Sequence, residues 1–195
     1  MSSLQASAAC DRPAPRVRCV RARASTSICS RSSTRVAGKG TQVVFAVDLL
    51  ANGKMTEQAL LVSDASELVG VDVARPLGVV FAEQRRGSQT LCVVEELLPG
   101  SNAQAAGVRV GDVLRLTTCV VAVRGKVDVM SYYSNPPKAS NRRALLVADA
   151  QPFGKLMKAL VSNSEAVDLP GGKARAFDSI PLVMERCPAP PGAVS

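Results

Sequence analysis

The chain contains no histidine and no tryptophan in its 195 residues. Histidine is the usual general base of serine hydrolases and the commonest metal ligand, so its absence excludes a Ser-His-Asp triad and argues against zinc and haem sites. A Gly-x-Ser-x-Gly elbow and a Cys-x-x-Cys pair are also missing. A Ser-Lys dyad stays open, although no motif places a serine beside a lysine. We therefore expect a protein that is not an enzyme, with no catalytic residues, no metal site and no cofactor.

Long apolar runs are missing as well. A membrane-spanning helix needs about 20 consecutive apolar residues, whereas the run at residues 119–123 has only the length of a strand. Aromatic residues make up only 3% of the chain, so the core must consist mainly of Val, Leu, Ile and Ala. We expect no transmembrane segment, and a protein that is soluble or peripheral on a membrane.

Net positive charge is small outside the N-terminal segment. Residues 1–40 hold eight Lys and Arg against one acid, Asp11. Of the 24 basic and 16 acidic side chains in the whole chain, 16 and 15 remain for residues 41–195, which are therefore almost neutral. A protein that binds nucleic acid needs a basic surface on its folded part, so no nucleic-acid partner is expected.

The basic segment 1–40 is rich in Arg and Ser, poor in acids, and without the apolar stretch of a secretory signal. This composition is typical of transit peptides to the chloroplast or the mitochondrion. Processing sites are expected near residues 19–22 or 35–37, and an ordinary basic arm is the alternative. Three of the six cysteines lie in this segment; Cys92 and Cys119, in apolar patterns further on, are expected to be small core residues.

Most of the remaining chain is typical of strands. Asn52-Gly53 is a hairpin turn, so residues 41–62 are expected to form an N-terminal hairpin. Residues 68–73 are expected to form a strand with alternate residues facing inward. Further strands are predicted over residues 79–82, 90–97, 111–117, 118–123 and 143–147, with a short helical connection within 99–107.

One long amphipathic helix is predicted near the C-terminus. Apolar residues recur there at helical spacing, with Asp149 as the capping acid and Pro152 in the first turn; they are Phe153, Leu156, Met157, Leu160 and Val161. Leu156 and Val161 are expected to face the core. Residues 166–195 are expected to be a largely irregular tail.

Residues 93–114 are the most informative block. They combine a buried strand, a Pro-Gly turn, a short helical turn, a glycine break at Gly107 and a second strand opened by Gly111-Asp112. This order resembles the central signature of PDZ domains. The resemblance implies a mixed α/β, mainly β fold: a small PDZ-like sandwich or barrel with one short and one long helix. The expected organisation is a transit peptide over 1–40, a hairpin extension over 41–67, a PDZ domain over 68–165 and the tail over 166–195.

PDZ domains bind a partner peptide as an added strand. By resemblance, the N–H groups of Leu77, Gly78 and Val79 face the terminal carboxylate of the peptide, although Pro76 replaces the usual first glycine. The peptide-binding residues are expected to be Leu77, Gly78, Val79, Val80, Phe81, Phe153, Met157 and Leu160. Because the histidine that selects Ser or Thr in many PDZ domains is absent, apolar peptide residues are expected. Gly78→Arg is expected to leave the fold largely intact and to remove partner binding.

Residues 76–81, 99–118 and 125, together with 153–163, are also similar to plastid PDZ proteins of plants and green algae, without their helical repeats. This implies a chloroplast adaptor or assembly factor whose partner is a polypeptide, such as a subunit of a photosynthetic membrane complex. It would lie in the stroma or on the thylakoid surface, with the mitochondrion as the alternative. Two other functions stay open: a structural subunit that docks without using the groove, and a protease-associated PDZ module.

Overall fold

The structure is a computed structural model that describes residues 17–19, 28–36, 40–63, 66–87, 89–124, 139–149 and 151–187. These residues are mostly strands with one short and one long helix, so the predicted mixed α/β, mainly β class is confirmed. The strands are β1 (Val17–Cys19), β2 (Ile28–Val36), β3 (Gly40–Asp48), β4 (Met55–Val62), β5 (Glu67–Ala74), β6 (Val79–Arg86), β7 (Gln89–Leu97), β8 (Val113–Arg124), β9 (Ala139–Val147), β10 (Val167–Asp168), β11 (Ala174–Arg175) and β12 (Ser179–Arg186). The helices are α1 (Asn102–Ala105) and α2 (Phe153–Ser162).

The larger sheet has the strand order β1-β5-β12-β8-β7-β6, and β9 pairs with β8. Strand β12 lies between β5 and β8 and runs antiparallel to both. The expectation that residues 166–195 are largely irregular is therefore wrong for β12. Pro181 argues against a central strand in the sequence. It is tolerated because the pairing of β12 with β8 begins only at Leu182.

A second sheet of three strands, in the order β2-β3-β4, contains the predicted hairpin as β3 and β4. It covers one face of the larger sheet, so β5, β12 and β8 are buried on both faces. The second core, between the two sheets, includes Phe45, Leu60, Leu68, Leu116 and Val183. The first core, on the opposite face, includes Val69, Val71, Leu114, Leu156, Leu160, Leu182 and Met184.

Because β5 is buried on both faces, the expectation that alternate residues of 68–73 face inward needs correction. Alternation of inward and outward side chains requires one face of the sheet to be wet, but residues 68–71 are all buried. Leu68 packs in the second core and its neighbour Val69 in the first. The continuous apolar run is thus the mark of a strand covered on both sides.

Strand β2 lies inside the predicted transit peptide. It pairs with β3 along its length, and Ile28 is 2% exposed in the second core. A Cβ atom on Gly70 would lie 3.0 Å from Cγ2 of Ile28, so this glycine provides the space for the isoleucine. Strand β1 pairs with β5 in parallel. The described part of residues 1–40 therefore contributes strands to both sheets.

Three further boundaries differ from the sequence-based expectations. Residues 113–124 form the single strand β8 where two were expected, because no turn interrupts them. Strand β9 begins at Ala139, and β6 continues to Arg86. Helix α2 has Pro152 at its N-cap with no side-chain cap. Asp149 instead pairs with Arg115 at 2.8 Å, so its role as a capping acid is wrong.

Candidate functional site

The loop before β6, residues 76–79, is called the N–H loop here. Each of its first three carbonyl groups accepts a hydrogen bond from residues 98–103: Asn102 Nδ2 donates to Pro76 O at 2.9 Å, Ala103 N to Leu77 O at 3.1 Å, and Leu98 N to Gly78 O at 3.0 Å. In a trans peptide the C=O and the following N–H point in opposite directions. The N–H groups of Leu77, Gly78 and Val79 therefore all point away from the turn that leads into α1.

The outward direction of Val79 also follows from its register. Val79 faces Leu97 across the β6–β7 pair, and the bond from Leu98 N to Gly78 O flanks that pair. Such a bond marks a non-hydrogen-bonded pair in an antiparallel ladder, so the N–H and C=O of Val79 point away from β7. Since β6 is the last strand in the order of the larger sheet, they face an open edge of the described structure.

Three neighbouring N–H groups are thus available at one place. Within the described part of the chain, the N–H groups of Leu77 and Gly78 donate no hydrogen bond. Successive N–H groups that point to one side form a concave nest that stabilises an anion. An open strand edge that begins at this nest can add an extended chain that ends in a carboxylate.

Gly78 is required in the N–H loop for two reasons. Its φ of +68° is a conformation that side-chain-bearing residues rarely adopt, and an added Cβ would lie 2.4 Å from Cβ of Ser101. The expectation that Gly78→Arg leaves the fold intact is therefore wrong. A side chain at this position would displace the start of α1 as well as the loop.

The expected peptide-binding surface between β6 and α2 is called the groove here, and apolar side chains from both elements pack against the first core. Leu77, Val79 and Phe81 are partly buried and pack against the first core from the strand side. Phe153 and Met157 pack against the same core from the helix side. The structure thus brings together, around one apolar core, side chains separated by more than 70 residues in sequence.

Two predicted peptide-binding residues, Val80 and Leu160, have side chains outside the groove, and one of the two predicted core residues of α2 is exposed. Val80 is 41% exposed and alternates with Val79 and Phe81, so its side chain lies on the opposite face of β6. Leu160 is buried, and it belongs to the first core beneath the groove. Leu156 is a core residue as expected, whereas Val161 is 71% exposed and the expectation that it faces the core is wrong.

Residues that hold the site in place were missed by the sequence reasoning. Ser101, the N-cap of α1, accepts a hydrogen bond from Gln104 N, and Gln104 Oε1 accepts one from Gly100 N, so the turn is a variant of the capping box that closes one residue before the N-cap. The Ser-x-x-Gln spacing is a readable signal for it. Asn102, within this box, holds the N–H loop through the carbonyl of Pro76.

The C-terminal end of α2 is also fixed by polar contacts. Asn163 is buried; its Oδ1 accepts from Thr118 Oγ1 at 2.8 Å, and its Nδ2 donates to Thr118 O and Ala159 O. Ser162 Oγ accepts from Val120 N at 2.9 Å. These bonds fix the helical wall of the groove to β8.

A cavity of about 520 Å³ lies where the β6–β7 hairpin approaches the turn before α2, and Glu83, Thr90, Arg115 and Gln151 contribute to its lining. Arg115 forms ion pairs with Asp149 and Glu185. Burial disfavours the charged guanidinium, but these two carboxylates outweigh burial and raise the pKa of Arg115. This cavity is therefore more polar than the groove.

The described residues contain no group of three or more His, Cys, Asp and Glu side chains that could hold a metal ion. Nor does any helix in the described ranges have the length and apolar character needed to cross a bilayer. No family model, curated protein or solved structure matches this chain. The function must therefore be inferred from the geometry of the N–H loop and the groove.

Proposed function

We propose that this protein is a PDZ-type adaptor that binds the C-terminal segment of a partner polypeptide by adding it to β6. The observation that carries the proposal is the set of three N–H groups in the N–H loop, which point together toward an open strand edge. A terminal carboxylate is an anion with the right chemistry for this nest. The main chain of the peptide would then pair with β6.

The groove lining supports a preference for apolar peptide side chains. The side chains that pack on the first core from the N–H loop, β6 and α2 are hydrocarbons, one thioether and aromatic rings. Burying an apolar side chain there gains roughly 25 cal/mol per Å². The terminal residue of the partner, and the residue two positions before it, are therefore proposed to be apolar.

The cellular role is proposed on the composition of the N-terminal segment and the resemblance to plastid PDZ proteins. An adaptor or assembly factor in the chloroplast would recognise the exposed terminus of a photosynthetic complex subunit, from the stroma or at the thylakoid surface. The mitochondrion is the alternative compartment. A structural subunit that docks without its groove, and a protease-associated module, are the competing roles.

The test measures peptide binding to the full chain. A library of peptides with free C-termini is compared with the same library amidated at the C-terminus. We expect free-carboxylate peptides with apolar ends to be selected and amidation to remove most of the affinity. This comparison tests the N–H loop, because only the terminal group of the peptide differs. Amidation replaces one carboxylate oxygen by NH2 and removes the negative charge.

A matched pair of variants on α2 tests the groove. Met157→Glu places a carboxylate in the groove, whereas Val161→Glu places the same group at a position of the helix that is 71% exposed. We expect Met157→Glu to lose at least tenfold in affinity and Val161→Glu to bind as the unaltered chain does. Equal binding by both variants would contradict groove binding and favour the structural-subunit role.

A further inference from the structure

A second cavity, of about 520 Å³, lies on a different part of the molecule. The β3–β4 loop forms one wall, and β9 with the segment after β10 forms the other. We call it the loop cavity. Its lining includes the apolar side chains Leu49, Leu50, Val167 and Leu169, and it shares no residue with the groove. A volume of this size falls in the range of small-molecule sites, roughly 300–1,000 Å³.

Three cations line the loop cavity. Lys54 and Arg142 are exposed, and neither side chain makes an ion pair or hydrogen bond with another described residue. Arg143, which is 8% exposed, donates to the carbonyls of Ser179 at 2.8 Å and Leu49 at 3.4 Å and lies over the ring of Phe177.

The acids beside the loop cavity are already engaged. Asp168, in its lining, accepts a hydrogen bond from Asn141 N at 2.8 Å. Asp48, at the base of the β3–β4 loop, accepts from three backbone N–H groups of that loop. They are those of Leu50, Asn52 and Gly53. These hydrogen bonds order the walls of the cavity, and neither carboxylate forms a described ion pair with Lys54 or Arg142.

The pKa of Arg143 is consistent with a place for an anion beside it. Burial lowers the pKa of Arg143 to about 10; Arg75 acts in the same direction, and Asp72 and Asp48 oppose it. A buried cation gains from an anion placed near it. The loop cavity thus combines apolar side chains with the buried cation of Arg143 and the two exposed cations of Lys54 and Arg142.

We propose that the loop cavity binds a small amphipathic anion: one carboxylate on an aliphatic chain. The carboxylate would lie between Lys54 and Arg142, within the field of Arg143. The aliphatic chain would cover Leu49, Leu50, Val167 and Leu169. This site is independent of peptide binding in the groove, because it uses other strands and other side chains.

The test is calorimetric titration of decanoate into the full chain, with decyltrimethylammonium as the matched ligand of equal chain length and opposite charge. We expect one saturable site for decanoate and none for the cation. Absence of a saturable decanoate site, or equal binding of both ligands, would overturn the proposal.

Two kinds of variant locate the site. The double variant Lys54→Glu/Arg142→Glu reverses the rim charge, and Ser140→Trp fills the cavity without changing charge. We expect each to weaken decanoate binding at least tenfold. The control Arg109→Glu/Lys158→Glu makes the same charge change at exposed positions elsewhere and should bind normally. Decanoate binding that falls equally in the control, or persists in Ser140→Trp, would place the ligand elsewhere and refute the site.

Discussion

At the scale of single residues, Asp112 shows how a short motif can serve the fold. Its carboxylate is almost fully buried, accepts from Arg109 N at 2.9 Å, and forms a bidentate pair with Arg186 on β12. The pair raises the pKa of Arg186. The Gly-Asp motif therefore closes the turn before β8 and fixes it to β12.

Cys92 gives a prediction at the same scale. Burial raises the pKa of its thiol from 9.0 to about 12. Above about pH 9 the unfolded chain releases this proton while the native chain keeps it, so the free energy of unfolding falls with rising pH, by at most roughly 1.4 kcal/mol per pH unit. Below the pKa of this thiol in the unfolded chain, both states keep the proton, and the stabilisation is fully present.

The measurement compares urea unfolding of the unaltered chain and Cys92→Ala at about pH 8 and about pH 10. The cavity left by Cys92→Ala has a cost that does not depend on pH. We expect the stability advantage of the unaltered chain to shrink by about 1 kcal/mol between the two conditions. A constant difference would show that the thiol is accessible to solvent in the native state.

At the scale of elements, β2 is the strand whose position matters most for interpreting the N-terminus. Ile28→Ala removes a side chain that is 2% exposed in the second core and packs on Gly70. Such truncations cost about 3 kcal/mol. We expect this loss in urea unfolding of the full chain.

Ser33→Ala is the matched control for β2, because Ser33 is exposed on the same strand. It should change stability by less than about 0.5 kcal/mol. If Ile28→Ala is no more destabilising than Ser33→Ala, β2 does not pack in the native protein. If the loss is as expected, processing near residues 35–37 would remove a strand that supports the second core, and processing near residues 19–22 would preserve it.

At the scale of the whole molecule, the two cores lie on opposite faces of the same strands. On β12, Leu182 belongs to the first core and its neighbour Val183 to the second, because successive side chains of a strand point to opposite faces. Damage to either core must therefore weaken strands on which the other depends. The molecule should unfold in one transition in spite of its two sheets.

Calorimetry tests this coupling. We expect Leu60→Ala in the second core and Leu156→Ala in the first each to lower the midpoint of one endotherm, with equal van't Hoff and calorimetric enthalpies. Leu61→Ala, at a side chain 44% exposed beside Leu60, should leave the midpoint nearly unchanged. An endotherm that splits in Leu60→Ala would contradict a shared transition.

The local pattern of the chain was sufficient to predict most elements. Asn52-Gly53 indicated the hairpin, the spacing of apolar residues from Phe153 onward indicated α2, and the mainly β class followed. Such signals arise between residues close in sequence, because turn residues and the spacing of apolar residues determine local secondary structure. They also indicated a strand beginning at Val79. The position of this strand at an open edge depends on the order of strands in the folded sheet.

Tertiary structure decided what depends on long-range contacts. Strand β12 is central because its partners lie more than 60 residues away, and Pro181 obscures it locally. Double burial of residues 68–71 follows from the second sheet, and the positions of Val80 and Val161 follow from the faces that neighbouring elements cover. The loop cavity arises where loops distant in sequence meet, so no short-range pattern encodes it. Sequence determined the elements, whereas packing determined which of their faces became core, groove or cavity.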